Sequence, residues 1–170
     1  AQLFRNHPSL HRIVEYDKRG KDSGISGFLR MAKRLKNTSY QLAVIPHRSI
    51  RSSLLAKMAA IPTRVGFDKS SGRMFLTNIV RYRNELHEID RNISLLEGLG
   101  QKHESRELPA IYPSRDDSKH VEKLLSAHGF ARSQKLIALA PGTIWNTKRW
   151  MVERFADLGK RLVANGFRVV

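Results

Sequence analysis

Residues 136–150 carry the pattern that decides the fold, and they read Leu-Ile-Ala-Leu-Ala-Pro-Gly-Thr-Ile-Trp-Asn-Thr-Lys-Arg-Trp. The apolar run at 136–140 predicts a short buried strand, which Pro141 and Gly142 end sharply. Residues 151–164 then show helical spacing, and the apolar side chains on one face are Val152, Phe155, Leu158 and Leu162. A strand, a turn and a helix in this order predict an α/β fold.

The turn between this strand and helix is rich in hydroxyl, amide and basic side chains: Thr143, Asn146, Thr147, Lys148 and Arg149. A helix start offers unpaired backbone N–H groups and a positive dipole end, which suit a phosphate group. The same residue types are common in ordinary solvated loops, and spacing alone slightly favours that simpler interpretation. Neither Gly-x-x-x-x-Gly-Lys nor Gly-x-Gly-x-x-Gly occurs, so two well-known phosphate-binding loops are excluded.

The composition limits the classes of protein to which the chain can belong. Its 170 residues, 41% of them hydrophobic, suffice for one ordinary domain or parts of two. There is no cysteine, which excludes disulfides and Cys-ligated metals, and no apolar run reaches transmembrane length. Because Asp-x-Asp is also absent, the sequence gives little support for a metal-chelated nucleotide sugar.

The net charge of +16 is concentrated in the first half of the chain. Residues 1–83 hold 17 of the 31 Lys and Arg but only 4 of the 15 Asp and Glu, a net charge of +13. This half is therefore expected to meet an anionic partner, and nucleic acid, an anionic membrane surface and an acidic lipid all qualify.

Part of this charge lies on a predicted helix whose inward face carries Ile25, Phe28, Leu29, Ala32 and Leu35. Its opposite face carries Arg30, Lys33, Arg34 and Lys36. A solvated outer face is the favoured interpretation, because charged outer faces are the norm, and contact with anionic lipid headgroups is the alternative.

Several further elements complete the predicted α/β pattern. The loop between a strand at 41–46 and a helix at 50–60 holds His47, Arg48, Ser49 and Arg51. Ligands of open α/β sheets usually bind at such carboxyl strand ends, although Ser49 also suits a helix cap. Other predicted elements are strands at 12–16, 64–67 and 168–170, helices at 86–99 and 116–128, and an irregular basic segment at 68–83 interpreted as a mobile active-site loop.

Two separated stretches of the chain carry distinctive motifs. The first is Ala-Pro-Gly-Thr-Ile-Trp-Asn-Thr-Lys-Arg-Trp at 140–150. The second spans 40–67 and contains Ser49-Ile50-Arg51-Ser52 and, at 60–67, Ala-Ile-Pro-Thr-Arg-Val-Gly-Phe. Both stretches resemble the ADP-heptose:lipopolysaccharide heptosyltransferases, which form glycosyltransferase family 9. Residues 49–52 are similar to the family's Ser-x-Arg-Ser turn, and residues 60–67 to its Gly-Ile-Pro-x-Arg-x-Gly-Phe segment, with Ala60 where Gly is usual.

The resemblance implies a GT-B fold, with Rossmann-like parallel sheets flanked by helices in two domains, both incomplete here. Residues 1–108 would belong to the acceptor-side domain and residues 109–170 would start the nucleotide-sugar-binding domain, with the polar segment 101–114 as their boundary. Thr143 and Lys148 match the places that hold the donor's phosphates in the family. Candidates on the acceptor side are Ser49, Arg51, Ser52 and Arg64. The family's catalytic base lies in an earlier loop, so no catalytic residue is assigned.

The implied reaction is inverting, metal-independent transfer of a heptose from ADP-heptose to the lipopolysaccharide inner core, without a cofactor. The implied partners are the nucleotide-sugar donor, the anionic acceptor and, peripherally, the cytoplasmic face of the inner membrane, but no nucleic acid. The chain by itself is expected to be inactive. The alternative from another class is a non-catalytic basic module that binds nucleic acid or an anionic membrane surface, which the charge of +16 supports.

Overall fold

The computed structural model describes residues 2–102, 108–131 and 133–170, and only the backbone of Gln2 and Asn146. The chain divides into two compact units, unit 1 (Ala1–Ile111) and unit 2 (Tyr112–Val170). Part of the predicted boundary segment, residues 103–107, lies outside the described residues. The assignment of an acceptor-side and a donor-binding domain stays a prediction.

Unit 1 is built on a parallel sheet of three strands that lie side by side in chain order. The strands are β1 (Leu42–Ile45), β2 (Thr63–Phe67) and β3 (Asn78–Val80), and the helices are α1 (Gly24–Lys36), α2 (Ile50–Met58) and α3 (Glu88–Ile93). Short 3-10 helices cover Gln2–Phe4, Arg73–Phe75 and Ser94–Leu99. The predicted strands at 41–46 and 64–67 and the helix at 50–60 are therefore confirmed, with small shifts at their ends.

The central strand β2 supplies the deepest part of the core. Val65 and Phe67 are 0% and 1% exposed, and because they are two residues apart they share one face of the sheet. Val80 from β3 and Leu95 from the following 3-10 helix pack against them. A second cluster joins β1 and α2 through Ile45, Ala56, Ala59 and Ile61. The core thus anchors the strands whose carboxyl ends carry the polar loops.

The predictions for residues 12–16 and 68–83 are wrong. Residues 12–16 form no strand, and none of the described strands pairs with them. The segment 68–83, predicted to be irregular, contains β3, which pairs in parallel with β2. β3 is three residues long and is stabilised by its pairing and by the packing of Val80, so local periodicity did not reveal it.

The helix predicted at 86–99 is only partly an α-helix. It begins as α3 and continues as a 3-10 helix over Ser94–Leu99. A 3-10 helix has about three residues per turn, which rotates the inward face relative to an α-helix. As a result Leu95 is fully buried at 0% exposure, whereas its neighbour Leu96 is only partly buried.

Helix α1 is rotated relative to the predicted inward face. Its buried residues are Gly27, Phe28, Met31 and Ala32. A Cβ atom on Gly27 would lie 2.3 Å from the backbone carbonyl group of Asp22, so the helix begins in close contact with the preceding loop. This contact fixes the rotation and leaves two predicted core residues exposed, Ile25 by 79% and Leu29 by 47%.

Unit 2 contains a two-stranded parallel sheet of β4 (Leu136–Ile137) and β5 (Arg168–Val169), with helices α4 (Arg115–Ala127) and α5 (Val152–Ala164). The predicted helices at 116–128 and 151–164 are confirmed. Ser114 and Asp117 cap α4 reciprocally, and Gly129 follows that helix at φ +75°. The strand at 168–170 is confirmed as well, paired with β4.

The burial predicted for the strand at 136–140 is wrong. The regular strand ends at Ile137, although Leu139 N–H still donates to the carbonyl oxygen of Val170 at 2.7 Å. Leu136 is 38% exposed, because a sheet of two strands leaves each of them close to solvent. On α5, Phe155, Leu158 and Leu162 are partly buried as predicted, but Val152 is 66% exposed.

The helices within the described residues do not reach the length and apolar character needed to cross a bilayer.

Candidate functional site

The connection between β4 and α5 contains the predicted phosphate-binding residues, and we call residues 141–151 the phosphate loop. Its middle forms a 3-10 helix at Asn146–Lys148. Thr143 is half-buried, and its hydroxyl oxygen accepts a hydrogen bond from Trp145 N–H at 3.3 Å. The Arg149 guanidinium donates to the Thr143 carbonyl oxygen at 3.0 Å. Thr143 is therefore held from two sides within the loop.

Lys148 lies at the end of this 3-10 helix, shortly before α5 begins. Its side chain is exposed and makes no hydrogen bond or ion pair with any described residue. The N-cap residue of α5 is Met151, which provides no side-chain hydrogen bond to the first-turn N–H groups. The loop therefore offers an unengaged ammonium group next to an uncapped helix start.

The two tryptophans of the phosphate loop differ in their surroundings. Trp150 packs edge-on against Phe155, with ring centroids 4.9 Å apart and the planes at 74°. Trp145 is 66% exposed. Trp150 therefore packs against α5, whereas Trp145 is largely exposed to solvent.

Three of the acceptor-side candidates line one cleft of about 280 Å³ in unit 1, which we call the α2 cleft. Its walls are formed by Tyr16, Lys18, His47, Ser49, Arg51, Ser52 and Leu55. Ser49 caps α2, since its hydroxyl oxygen accepts a hydrogen bond from Arg51 N–H at 3.3 Å. The cleft therefore combines the helix start, two hydroxyl groups and two cationic side chains.

Aromatic rings surround the guanidinium group of Arg51. Its central carbon lies 5.9 Å from the ring centre of Tyr16 and 5.7 Å from that of Phe28. The Tyr16 hydroxyl is buried and has no hydrogen-bond partner among the described residues. Tyr16 and Lys18 were not candidates from the sequence, because they reach the cleft by lying close to residues 47–55, about thirty positions further along the chain.

The fourth acceptor-side candidate, Arg64, lies outside this cleft. Its guanidinium donates to the carbonyl oxygens of Phe75 at 2.6 Å and Pro62 at 3.1 Å, and also to that of Ile61. Arg64 therefore joins the turn before β2 to the 3-10 helix at Arg73–Phe75. The same turn contains Ala60 at φ +57°, a left-handed conformation that favours glycine, the residue usual at this place in the family pattern.

A further cationic cluster lies beyond the carboxyl ends of β2 and β3. Two guanidinium groups lie close to the Tyr82 ring, with centroid distances of 4.5 Å to Arg48 and 4.7 Å to Arg91. Asp68 accepts a hydrogen bond from Tyr82 N–H at 2.8 Å, and Phe67 packs edge-on against the ring at 5.0 Å. The sequence missed this cluster because β3 was not predicted. Across residues 2–102, 108–131 and 133–170, no three His, Asp or Glu side chains lie close enough to hold a metal ion.

Comparison with known proteins gives a consistent family assignment. The model of glycosyltransferase family 9 (heptosyltransferase) matches residues 28–170. Lipopolysaccharide heptosyltransferase 2 of Salmonella typhimurium is 28% identical over 148 residues, which cover 83% of this chain and 42% of that protein. The lipopolysaccharide core heptosyltransferase OpsX of Haemophilus influenzae is 24% identical over 161 residues, covering 92% of this chain and 43% of that protein. The chain thus spans less than half the length of these curated relatives.

Solved structures give the same picture of the fold. The glycosyl transferase family 9 protein from Veillonella parvula superposes with a TM-score of 0.89 at 25% identity, covering 99% of this chain and 49% of that one. Escherichia coli ADP-heptose lipopolysaccharide heptosyltransferase II superposes with a TM-score of 0.67 at 20% identity, covering 85% and 46%, and supports the fold alone. The predicted α/β fold of GT-B type, with parallel sheets flanked by helices, is confirmed, and the chain belongs to glycosyltransferase family 9.

Proposed function

We propose that this chain forms part of an enzyme that transfers a heptose from ADP-heptose to the inner core of lipopolysaccharide. Family membership and the curated relatives, which are lipopolysaccharide heptosyltransferases, support this proposal. The observation that carries it within the chain is the unengaged Lys148 beside the uncapped start of α5. A helix start and a free ammonium group together suit the diphosphate of a nucleotide sugar.

In the proposed donor complex, Lys148 binds a phosphate oxygen of ADP and the Thr143 hydroxyl donates a second hydrogen bond. The Thr143 oxygen already accepts from Trp145 N–H, so its proton remains available to a ligand. Arg149 has a different task, because it braces the loop through the Thr143 carbonyl group. The donor is a substrate, and the reaction needs no cofactor.

The proposed chemistry is an inverting displacement at the anomeric carbon through an oxocarbenium-like transition state. The acceptor hydroxyl oxygen forms the new bond, the bond to the ADP oxygen breaks, and the hydroxyl proton passes to a carboxylate base. Negative charge grows on the departing ADP, and Lys148 with the N–H groups of α5 offsets it. We assign these groups the role that a chelated metal has in other transferases, and we name no residue of this chain as the base.

We assign the α2 cleft to the anionic acceptor. Arg51 and Lys18 supply positive charge, and Ser49 and Ser52 supply hydroxyl groups in a cleft large enough for part of a sugar. The buried, unpartnered Tyr16 hydroxyl is a further hydrogen-bonding group in its wall. Arg64 would act on the acceptor side through the turn that it braces rather than by direct contact. A lipid-carried acceptor places the enzyme peripherally at the cytoplasmic face of the inner membrane.

The test is the kinetics of the full-length enzyme at varied ADP-heptose concentration. Lys148→Ala is expected to lower kcat/KM for the donor by roughly ten- to hundredfold, since a hydrogen bond to a charged group contributes about 1.5–3 kcal/mol. Thr143→Ala is expected to lower it less, because a neutral hydroxyl forms the weaker bond. Thermal melts establish that each variant is folded.

The matched control is Lys160→Ala, which removes an exposed lysine that lies on α5 and outside the phosphate loop. It should retain normal kinetics. Equal losses for Lys148→Ala and Lys160→Ala would contradict the assignment of Lys148 to the donor phosphate. Salt-sensitive binding of RNA, without binding of ADP or ADP-heptose, would instead favour the basic non-catalytic module.

A further inference from the structure

One side of α1 carries two exposed apolar side chains followed by two lysines: Ile25, Leu29, Lys33 and Lys36, which we call the α1 stripe. Ile25 is 79% exposed and Leu29 is 47% exposed. At about 100° per residue these four positions fall within a sector of about 80° around the helix. The stripe is therefore a continuous surface and not a set of scattered side chains.

The stripe lies beside the buried face of α1, on the exposed part of the helix. The buried face is formed by Phe28, Met31 and Ala32, whose exposures are 8%, 4% and 4%. This rotation is held at the start of the helix by the close contact of Gly27 with Asp22. The Arg30 guanidinium also binds Asp22 at 3.2 Å and the Lys21 carbonyl oxygen at 2.7 Å. Of the basic residues first assigned to the outer face, Arg30 is thus already engaged.

All charged side chains of α1 are positive. The sequence of α1 contains four basic residues and no acidic residue, within a chain half of net charge +13. Among the described residues, Lys33 and Lys36 form no ion pair. The helix dipole favours lysines in the last turn, which accounts for their position. It does not account for exposed Ile25 and Leu29 on the same side.

We propose that the α1 stripe docks on a lipid bilayer that carries anionic headgroups. Ile25 and Leu29 enter the headgroup region, and Lys33 and Lys36 contact lipid phosphates, as in helices that lie in the plane of a membrane interface. Nucleic acid would match the charge but gives no role to two exposed aliphatic side chains. The proposal deepens the proposed function, on which it rests, by naming the surface that brings the enzyme to a lipid-carried acceptor.

The first experiment measures binding of the chain to sedimenting vesicles of phosphatidylcholine, with or without phosphatidylglycerol, at low and high salt. The double variant Lys33→Gln with Lys36→Gln should bind anionic vesicles roughly thirtyfold more weakly at low salt, since each of the two lysines near such a surface contributes about 1 kcal/mol. The double variant Ile25→Ser with Leu29→Ser should bind severalfold more weakly at either salt concentration, because its loss is not screened.

Helix α4 has the same length as α1 and offers control pairs with the same charge change and with exposed apolar side chains. Val121 and Leu124 are 53% and 48% exposed, and Lys119 and Lys123 are exposed one turn apart. The pairs Val121→Ser with Leu124→Ser and Lys119→Gln with Lys123→Gln should leave vesicle binding within about twofold of the parent chain. Equal losses for the α1 and α4 pairs would overturn the proposal, because binding would then follow overall charge and apolarity.

The second experiment reports insertion at a single position. The chain contains no cysteine, so Leu29→Cys provides a unique attachment site for an environment-sensitive fluorophore. Anionic vesicles should shift its emission to the blue, whereas the same label at Leu124→Cys should not respond. A label at Leu29→Cys that stays unchanged while the chain sediments with vesicles would overturn the proposal, as would binding to RNA in place of vesicles.

The failure of this inference can be told from the failure of the proposed function. The full-length enzyme with both stripe pairs substituted should use ADP-heptose normally with a water-soluble, deacylated acceptor. If wild-type vesicle binding were absent while Lys148→Ala still lowered donor use, the α1 stripe would lose its role and the proposed function would stand. If the enzyme did not use ADP-heptose at all, the proposed function would fail, and the vesicle experiments would still test whether the α1 stripe binds a membrane.

Discussion

Unit 1 and unit 2 share the same building plan of parallel strands and helices but differ in how they are held together. All eleven hydrophobic side chains that are buried among the described residues belong to unit 1. In unit 2 the described side chains are at most partly buried. Helix α4 has reciprocal hydrogen bonds between Ser114 and Asp117 at its start, whereas α5 begins without a side-chain cap. Within the described residues, the packed core therefore belongs to unit 1.

The glycines show the same contrast. A Cβ atom on Gly98 would lie 2.6 Å from Val65 Cγ1 and 3.0 Å from Val80 Cγ2, inside the core of unit 1. A Cβ atom on Gly159 of α5 would have only Leu139 Cδ1 within 4 Å, at an ordinary contact distance of 3.8 Å. The close packing that proteins need for a large core is thus present in one unit and absent around this position in the other.

The candidate sites follow this division. The α2 cleft lies on a helix whose base, at Ala56 and Ala59, is packed into the core. The phosphate loop lies in unit 2 and contains the exposed Lys148. Segments with few buried apolar contacts open locally at low free-energy cost, which is common for ligand-binding loops. We therefore expect hydrogen exchange to be slow at β2 and fast in the phosphate loop.

The largest expected effect is that of Leu95→Ala in unit 1. Leu95 is 0% exposed and packs on Val65 and Phe67, so its truncation leaves a cavity. The free energy of unfolding should fall by about 2–5 kcal/mol. Leu158→Ala, at a partly buried site on α5, should cost only about 1 kcal/mol, since less apolar area leaves water there.

Two local measurements separate these effects. Both tryptophans, Trp145 and Trp150, lie in unit 2, so tryptophan fluorescence follows that unit during denaturation. Hydrogen exchange of β2 amides follows unit 1. If Leu158→Ala lowered the free energy of unfolding as much as Leu95→Ala, the two units would not differ in how tightly they are packed.

Replacing glycine by alanine should change the free energy of unfolding in opposite directions at Gly98 and Gly159. Gly98→Ala should lower the free energy of unfolding by about 1–3 kcal/mol, because the added methyl group overpacks two β-branched core residues. Gly159→Ala should raise it by about 0.5–1 kcal/mol, because alanine loses less conformational entropy inside a helix and meets no close neighbour. Urea denaturation of the two variants measures both changes, and equal signs would show that the packing around the two sites is alike.

The smallest expected effect depends on pH and concerns the loop that precedes α1. Burial by itself would raise the pKa of Asp22, but the Asp17 N–H and the Arg30 guanidinium bind the carboxylate and hold its pKa below the ordinary 3.8. A carboxylate with a lowered folded-state pKa stabilises the fold above the unfolded pKa, and this contribution is lost as pH falls through the folded value.

Asp22→Asn should therefore lower the Tm of the chain at pH 7 and have a smaller effect well below pH 3.8. Asp157→Asn, at an exposed carboxylate on α5 of unit 2, is the control and should change the Tm little at either pH. A Tm difference for Asp22→Asn that is the same at both pH values would show that its hydrogen bonds, and not its charge, carry the effect.

Much of the fold could be predicted because the signals are local. Helix α4 has a capping serine, acidic residues in its first turn and Gly129 after its end, and its predicted bounds are nearly those observed. β3 could not be predicted, because its three residues gain their stability from pairing with β2. Leu95 was missed for a related reason, since it is buried by packing with Val65 and Val80 from other parts of the chain.

The candidate site divides in the same way. Thr143, Lys148, Ser49, Arg51 and Ser52 were found from strand–turn–helix patterns and from the family resemblance, and their roles stay predictions. The sequence did not reveal that Tyr16 and Lys18 line the α2 cleft, because the other residues of the cleft are distant in the chain. It did not reveal the position of Tyr82 beside Arg48 and Arg91 for the same reason. Arg64 was a candidate from the sequence, but its hydrogen-bond partners were not predicted. They are three backbone carbonyl groups from two separate segments of the chain.

The amino-acid sequence by itself determined the α/β class, most helices, the family and the excess of positive charge in the first half of the chain. These properties depend on residue type and short-range spacing, which are present in the chain before it folds. Only the tertiary structure decided which face of α1 meets solvent, because that rotation depends on the contact between Gly27 and Asp22. Likewise only the tertiary structure decided that Arg64 is held by carbonyl groups and that Lys148 stays unengaged, because hydrogen-bond partners are chosen by proximity in space.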